Sequence, residues 1–519
     1  MSTFQAQDAT PQSQSAPRYQ TEVLIVGAGF AGIYLLHKLR GSGFQCLVLE
    51  ATDSLGGTWN LNRYPGSRVD TNVPLYQLSI PEIWATWTWS ERFPDRDEMS
   101  RYFEHVDSVL NIKKDVLFKS KVVSAQYLVD ASTWSVRIED GTSFTSTEWA
   151  ASDTFRGTTC HSACWPSSGV DLVGKRVAVV GTGATGVQMA QEISRQASHL
   201  YVFQRTPNLC LPMRQRKLDY AEQDAARADL PRMFRHRLTT TAGYADEPAK
   251  RSIFCDSGEE RTAFFERLWD EGGFKFWTAN YRDVLFNEEA NRMAYDFWAG
   301  KTRDPVSRAT TYYEQLSKPH VSIIDVSSAP IVALTRDGLR TSDGAVYVCT
   351  YEVDVVGLAT GFDALTGSML DMGLASTSGA PLAEKWSNGV ASYLGAALAG
   401  YPNLFYVFAA HGPTASNGPS CIELQSDWIV HVMVKMRRDA IESLEPTVEA
   451  EREWASLLNS VYQKSLVRST RSWYDGSNVP AKRMEPLIFF GGFPLYRELC
   501  YNALDENFKG FKIRYRHDK

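Results

Sequence analysis

Two glycine triplets carry the most specific chemistry in this chain. Gly27, Gly29 and Gly32 stand in "VLIVGAGFAGIYLL", and Gly181, Gly183 and Gly186 repeat the spacing in "VAVVGTGATGVQMA". In such a triplet the first glycine permits a tight turn and the second lets the backbone approach a pyrophosphate. The third lets a helix pack closely on its strand. The phosphates then rest on the unpaired N–H groups at the helix N-terminus. The triplets differ in what closes the strand that follows. The first ends in Glu50, a carboxylate suited to accept hydrogen bonds from both ribose hydroxyls of an adenosine. The second ends in Arg205 and Thr206. A guanidinium there pairs with a 2′-phosphate that a carboxylate would repel. The first site therefore suits FAD and the second NADPH, and together they imply electron transfer from NADPH to a flavin.

The elements that must position these residues are readable from the apolar pattern. Val23–Val26 reads as a buried strand, Ile33–Arg40 as an amphipathic helix and Cys46–Leu49 as a second strand, a βαβ unit. Val177–Val180, a following helix and Leu200–Phe203 repeat it. From Met213 to Pro305 the text is helical and charged, and strand signals resume at Val321. One long helix is expected near Ile422–Glu442. This predicts an α/β fold with two Rossmann-like dinucleotide-binding domains and a helical insertion.

Bulk properties narrow the partners. At 519 residues the chain is too long for a single core. A net charge of −6 offers no electrostatic footprint for nucleic acid or an anionic membrane. The first twenty residues are polar and lack the apolar core of a signal peptide, and no run approaches a membrane span. A reduced, cytoplasmic setting is the expectation, with no protein partner implied. The stretch "FRGTTCHSACWP" brackets His161 between Cys160 and Cys164, but no second Cys/His cluster answers it, so no metal is expected. The chain also lacks any CxxC, which argues against a disulfide reductase.

That stretch, Phe155 to Pro166, resembles the linker fingerprint FxGxxxHxxxWP of the Baeyer–Villiger monooxygenases, a class B flavoprotein family. Phe155, Gly157, His161, Trp165 and Pro166 carry the match. "GGTWNLNRYPGSRVD" is similar to a second family signature through Gly56, Gly57, Trp59, Tyr64, Pro65, Gly66 and Asp70. "LATGFDALTG", "SWYDGSNVPAKR" and "GGFPLY" are also family-like, so the resemblance extends from residue 22 to about 500. It implies that Thr58, Trp59, Asn60, Leu61, Asp70, Tyr76 and Val122 surround FAD. It implies that Thr182, Gly183, Ala184, Thr185, Gly186, Val187 and Gln188, with Arg205 and Thr206, contact NADPH. Trp473 and Asn478 match the loop that closes over NADP, and His161 and Trp165 the hinge that couples NADP to the flavin. Asp70 matches the acid that orients a catalytic arginine. The implied reaction inserts one oxygen atom from O2 beside a ketone carbonyl, giving an ester or lactone. The branch it resembles acts on bulky natural-product ketones in fungal secondary metabolism.

The implied domains are a tail to residue 20, an FAD domain over 21–154 and the linker over 155–170. An NADPH domain follows over 171–212 and 306–345, interrupted by the insertion at 213–305, and the chain returns to the FAD domain at 346–519. Three departures stand out. About twenty residues that relatives carry between Trp134 and Phe155 are missing. The usual Lys-Arg-Pro turn, whose arginine is the catalytic cation, is absent, and Arg308 is the candidate by proximity. The Asn-Gly-Pro segment near Ser420 is shortened. Such losses fit a misassembled gene or an inactive dinucleotide-binding pseudoenzyme. The other alternative is a flavin monooxygenase that oxygenates nitrogen or sulfur, against which the Trp-Pro ending counts.

Overall fold

The computed structural model describes residues 19–139, 155–305, 312–342, 348–479 and 482–516. The N-terminal tail to residue 18, the stretch upstream of Phe155 and Arg308 lie outside the described residues.

Two parallel sheets organise the chain. The first is built from Val23–Val26, Cys46–Leu49 and Val116–Leu117, in that order. The helix between its first two strands runs Phe30–Gly41, longer at both ends than its apolar periodicity implies. The second sheet has five strands in the order Thr158–His161, Val355–Leu358, Arg176–Val180, His199–Gln204 and Val321–Asp325. All its neighbours pair in parallel, with Val177 beside Leu200 and Val355 beside both Thr158 and Val177. A strand flanked on both sides needs apolar residues along its whole length, and "VAVV" and "VVGL" supply them. The helix Ala184–Ile193 covers this sheet.

Val348–Glu352 completes an antiparallel meander with Ile331–Thr335 and Gly338–Ser342, and Val355–Leu358 is a central strand of the five-stranded sheet. Arg176 reinforces this placement by pairing with Asp354 at 3.0 Å and Glu352 at 2.7 Å. Similarly, the linker fingerprint is part of a sheet, because Thr158–His161 forms its edge strand. The long C-terminal helix spans Gly418–Arg438, shifted from the expected Ile422–Glu442. Pro419 suits its first turn, and Lys435, Arg437 and Arg438 complement the dipole of its last. Ala440 then takes a φ of +52°, and Glu442 falls in the strand Ile441–Pro446.

The helical insertion has its own core of Ile253, Phe264, Phe265, Leu268 and Tyr281. It is fastened to the first sheet's side of the molecule by Arg237. This fully buried guanidinium pairs with Glu423 at 2.8 Å and donates to the carbonyls of Leu75 at 2.6 Å and Gln77 at 3.2 Å. Among the described residues no helix is long and apolar enough to cross a membrane.

Candidate functional site

Both fingerprint helices begin without a side-chain cap, at Gly29 and Gly183, which leaves first-turn N–H groups for a ligand. A Cβ on Gly32 would lie 1.9 Å from the carbonyl oxygen of Gly27, and one on Gly186 2.0 Å from that of Gly181. Only glycine allows either helix to sit this close to its turn. Gly27 is drawn in by a 2.8 Å bond from its N–H to the Leu49 carbonyl.

On the first sheet, Glu50 is buried and already engaged. One oxygen accepts from the Ala28 N–H at 2.7 Å, and the other accepts from the Thr52 N–H and hydroxyl at 2.8 and 2.7 Å. The carboxylate retains lone pairs beyond these and is fixed in place. Thr58–Leu61 forms one helical turn in which Thr58 and Leu61 are exposed. Asn60 is buried and donates to the Thr52 hydroxyl at 3.0 Å. Trp59 donates its indole N–H to the Tyr76 hydroxyl at 3.2 Å, with the rings edge to face. Val122 keeps its side chain in the interior. Val26, an apolar residue at the open end of its strand, is 48 % exposed beside the uncapped helix. An uncapped helix, a placed carboxylate and bare apolar surface fit a dinucleotide such as FAD.

On the second sheet, the Thr182 hydroxyl donates to the Thr206 carbonyl at 2.8 Å and ties the two strand ends together. Gly183, Ala184, Arg205 and Thr206 are exposed there, and Thr185 and Val187 are half-buried. No carboxylate stands at the Arg205 position, so these residues fit NADPH. The Gln188 amide accepts from the Tyr64 hydroxyl and donates to the Arg68 carbonyl.

The segment that ends in Asp70 reaches both halves, with Tyr64 in the core of the second sheet and Val69 in that of the first. The Asp70 side chain is open to solvent, yet protein crowds it closely enough that loss of hydration pushes its carboxyl above the usual range. Four phenols, of Tyr64, Tyr76, Tyr244 and Tyr474, feel its charge. Burial is the main cause raising each of them, Tyr474 to about 12, so all four keep their protons at neutral pH. Tyr474 could have been found beside Trp473 in its motif. Tyr244 belongs to the helical insertion, where no motif marked it.

The linker and the C-terminal loop meet at Phe362 and Asp363, just beyond the strand Val355–Leu358 of the second sheet. The His161 ring packs edge to face on Phe362 at 5.7 Å, and its Nδ1 accepts from the Ala163 N–H. Burial lowers the pKa of His161, which favours its neutral form. Asn478 donates to the Phe362 carbonyl at 2.8 Å, and Lys482 pairs with Asp363 at 2.6 Å. Trp473 is partly exposed and leans on Tyr474. Trp165 is buried in the core of the second sheet, and Phe155 packs at its far side. Gly157 is pressed against the Asp354 carbonyl, where a Cβ would lie 2.3 Å away. Cys160 is buried with its thiol pushed up, Cys164 is exposed, and no metal-holding group exists among the described residues.

Comparison with known proteins agrees with this geometry. Residues 25–88 match the NAD(P)-binding Rossmann-like domain. The FAD-binding monooxygenase acrE of Aspergillus aculeatus is 42% identical over 95% of this chain and 89% of its own. That alignment spans 533 residues, more than this chain contains, so the relative carries stretches with no counterpart here. Cyclopentanone 1,2-monooxygenase of Comamonas sp. is 35% identical over 95% of this chain and 96% of its own. The phenazine N-monooxygenase PhzNO1 of Lysobacter antibioticus is 31% identical over 94% and 96%. Among solved structures, OTEMO in complex with FAD and NADP superimposes with a TM-score of 0.88 at 30% identity, covering 95% of this chain and 99% of that one. Fold, cofactor sites and sequence agree: this chain belongs to the FAD- and NADPH-dependent Baeyer–Villiger-type monooxygenases.

Proposed function

We propose that the protein oxidises a bulky natural-product ketone to an ester or lactone, in the cytoplasm, as a step of secondary metabolism. The observation that carries this reading is Asp70, open to solvent at the end of the segment that reaches both halves and ringed by four protonated phenols. Bound FAD, reduced by NADPH, supplies the activation of O2. One oxygen atom enters the ketone beside its carbonyl and the other leaves as water.

The chain's own residues supply the rest. The helix N-termini at Gly29 and Gly183 hold the pyrophosphates, Glu50 the adenosine ribose and Arg205 the 2′-phosphate. Asp70 orients the cation that stabilises developing negative charge, a role assigned to Arg308 on its place in the sequence. Trp473 and Asn478 lie on the segment that shields the site from water, which favours product over wasted peroxide.

The likeness to a phenazine N-monooxygenase favours a second reading, oxygenation of a ring nitrogen. One experiment separates the readings. The purified protein is checked for bound FAD, reduced anaerobically with NADPH, then given O2 with cyclic and polycyclic ketones and with phenazines. Ester or lactone matching the NADPH consumed supports the proposal, and N-oxide formation supports the second reading. NADPH consumption that ends only in hydrogen peroxide, or no flavin reduction at all, overturns both in favour of a pseudoenzyme.

A further inference from the structure

The segment from Tyr64 to Asp70 is shared between the two halves of the molecule. The Tyr64 ring is buried in the core under the five-stranded sheet, with Trp165, Val177 and Met189. Val69, near the other end, belongs to the core of the first sheet with Phe30, Ile33 and Phe103. Between them Gln188, on the NADP-side helix, bonds to the segment through both ends of its amide. The Tyr64 hydroxyl donates to Gln188 Oε1 at 3.0 Å, and Gln188 Nε2 donates to the Arg68 carbonyl at 3.0 Å. Gly66 explains why the contact is so close. Its φ is +81°, and a Cβ there would lie 2.7 Å from the Gln188 carbonyl oxygen, so backbone rests on backbone. The first-sheet side holds on as firmly. Arg68 donates to the Phe93 carbonyl at 2.8 Å and pairs with Glu91 at 3.2 Å, and the Val69 N–H donates to the Pro94 carbonyl at 3.0 Å.

Gln188 lies one turn beyond the exposed Gly183–Ala184 start of its helix, and Asp70 follows Arg68 by two residues. An amide offers one acceptor oxygen and one donor group, and here each is bonded to the Asp70 segment. We propose that Tyr64 and Gln188 are positioning residues that couple the NADP-binding helix to Asp70. A nucleotide that settles the start of the helix thereby settles the Asp70 carboxyl as well. The proposal rests on the role given to Asp70 above.

The test uses the FAD-loaded full chain with Tyr64→Phe, Gln188→Met, the double variant and Asp70→Asn. Amide hydrogen exchange is followed with and without NADP+, and peroxide release per NADPH is measured under turnover. In the parent protein NADP+ is expected to slow exchange at residues 181–187 and also at 66–71. Each single variant should keep the first protection and lose the second, while NADP+ affinity stays within about twofold. Each should release several-fold more peroxide, and the double variant no more than either single one, because both remove the same link. Protection at 66–71 that survives in both variants overturns the proposal, as do additive effects. So does a rise in NADP+ dissociation constant confined to Gln188→Met, which would make Gln188 a plain cofactor contact. Asp70→Asn keeps the two readings apart. If it leaves peroxide release unchanged, the role of Asp70 falls. If it uncouples turnover while Tyr64→Phe and Gln188→Met do not, only the coupling falls.

Discussion

The two dinucleotide fingerprints share a backbone and differ in how much of their chemistry is already engaged. In the first, Glu50 is buried and fixed by three hydrogen bonds, and Asn60 bonds in turn to its partner Thr52. In the second, Arg205 and Thr206 stand exposed at the strand end, with the Thr206 carbonyl accepting from the Thr182 hydroxyl. A rigid, buried acceptor suits a cofactor that stays through many turnovers. An exposed cation suits one that arrives and leaves.

The largest break in this comparison comes from the glycines that the two sites share. In Gly32→Ala the new methyl must displace the Gly27 carbonyl, and overpacking of this kind costs roughly 1–3 kcal/mol or more. Since 1.4 kcal/mol is tenfold in affinity, FAD binding should weaken by about 5–100-fold or more, and the protein should purify with its flavin depleted. Gly186→Ala meets the same clash at the other site, so it should purify yellow and fail in anaerobic reduction by NADPH. If both variants lose flavin, the two sites are not separable in the way their geometry implies.

A smaller change sharpens the ribose contrast. Removing a charged hydrogen-bond partner costs roughly 1.5–3 kcal/mol, so Arg205→Gln should raise KM for NADPH about 10–100-fold and leave NADH nearly unchanged. The effect should shrink at high salt, because the guanidinium is exposed. Glu50→Gln leaves one of the Ala28 and Thr52 N–H donors without its acceptor, and its loss should appear in flavin content instead of KM. Steady-state kinetics with both nucleotides, beside the ratio of flavin to protein absorbance, read the pair.

Much of this contrast was legible from residue types. Glycine spacing, an apolar strand before it and an acid or base after it are local, and local sequence is what propensity and periodicity report. The segment that links the sites was legible only in part. Tyr64, Gly66 and Asp70 were visible as a signature, but their partner Gln188 lies more than a hundred residues away. No spacing rule reaches across that distance. The same holds for Arg237, which fastens the insertion to Glu423, and for Tyr244, which the insertion brings near Asp70. The linker fingerprint showed where the sheets join, but not that it is itself an edge strand. That depends on Val355–Leu358, almost two hundred residues later, coming to lie beside it.

The subtlest difference between the two sides should appear on acidification. His411 stands just before Gly418–Arg438, the helix packed on the first fingerprint helix. It is 2 % exposed, its Nδ1 lies 3.0 Å from the Ser392 hydroxyl, and burial lowers its pKa from 6.5 to about 4. His161, on the second sheet, is only half-buried and is lowered from the same starting value without the full enclosure that His411 has. For a histidine with a depressed folded pKa, the contribution to stability is complete above pH 6.5. It is lost as pH falls toward the folded value, because the unfolded chain takes up the proton first. At pH 5 the loss from His411 should be about 2 kcal/mol. The φ of His411 is +69°, a region that asparagine tolerates, so His411→Asn removes the titration with little added strain. Denaturant unfolding of the parent and the variant, at pH 7.5 and pH 5, measures the difference. The gap between them should narrow by about 2 kcal/mol in acid, and FAD release should precede any loss of NADP+ binding. A gap that does not change with pH would mean that His411 takes up its proton without unfolding the flavin side, and the two sites would then share one acid threshold.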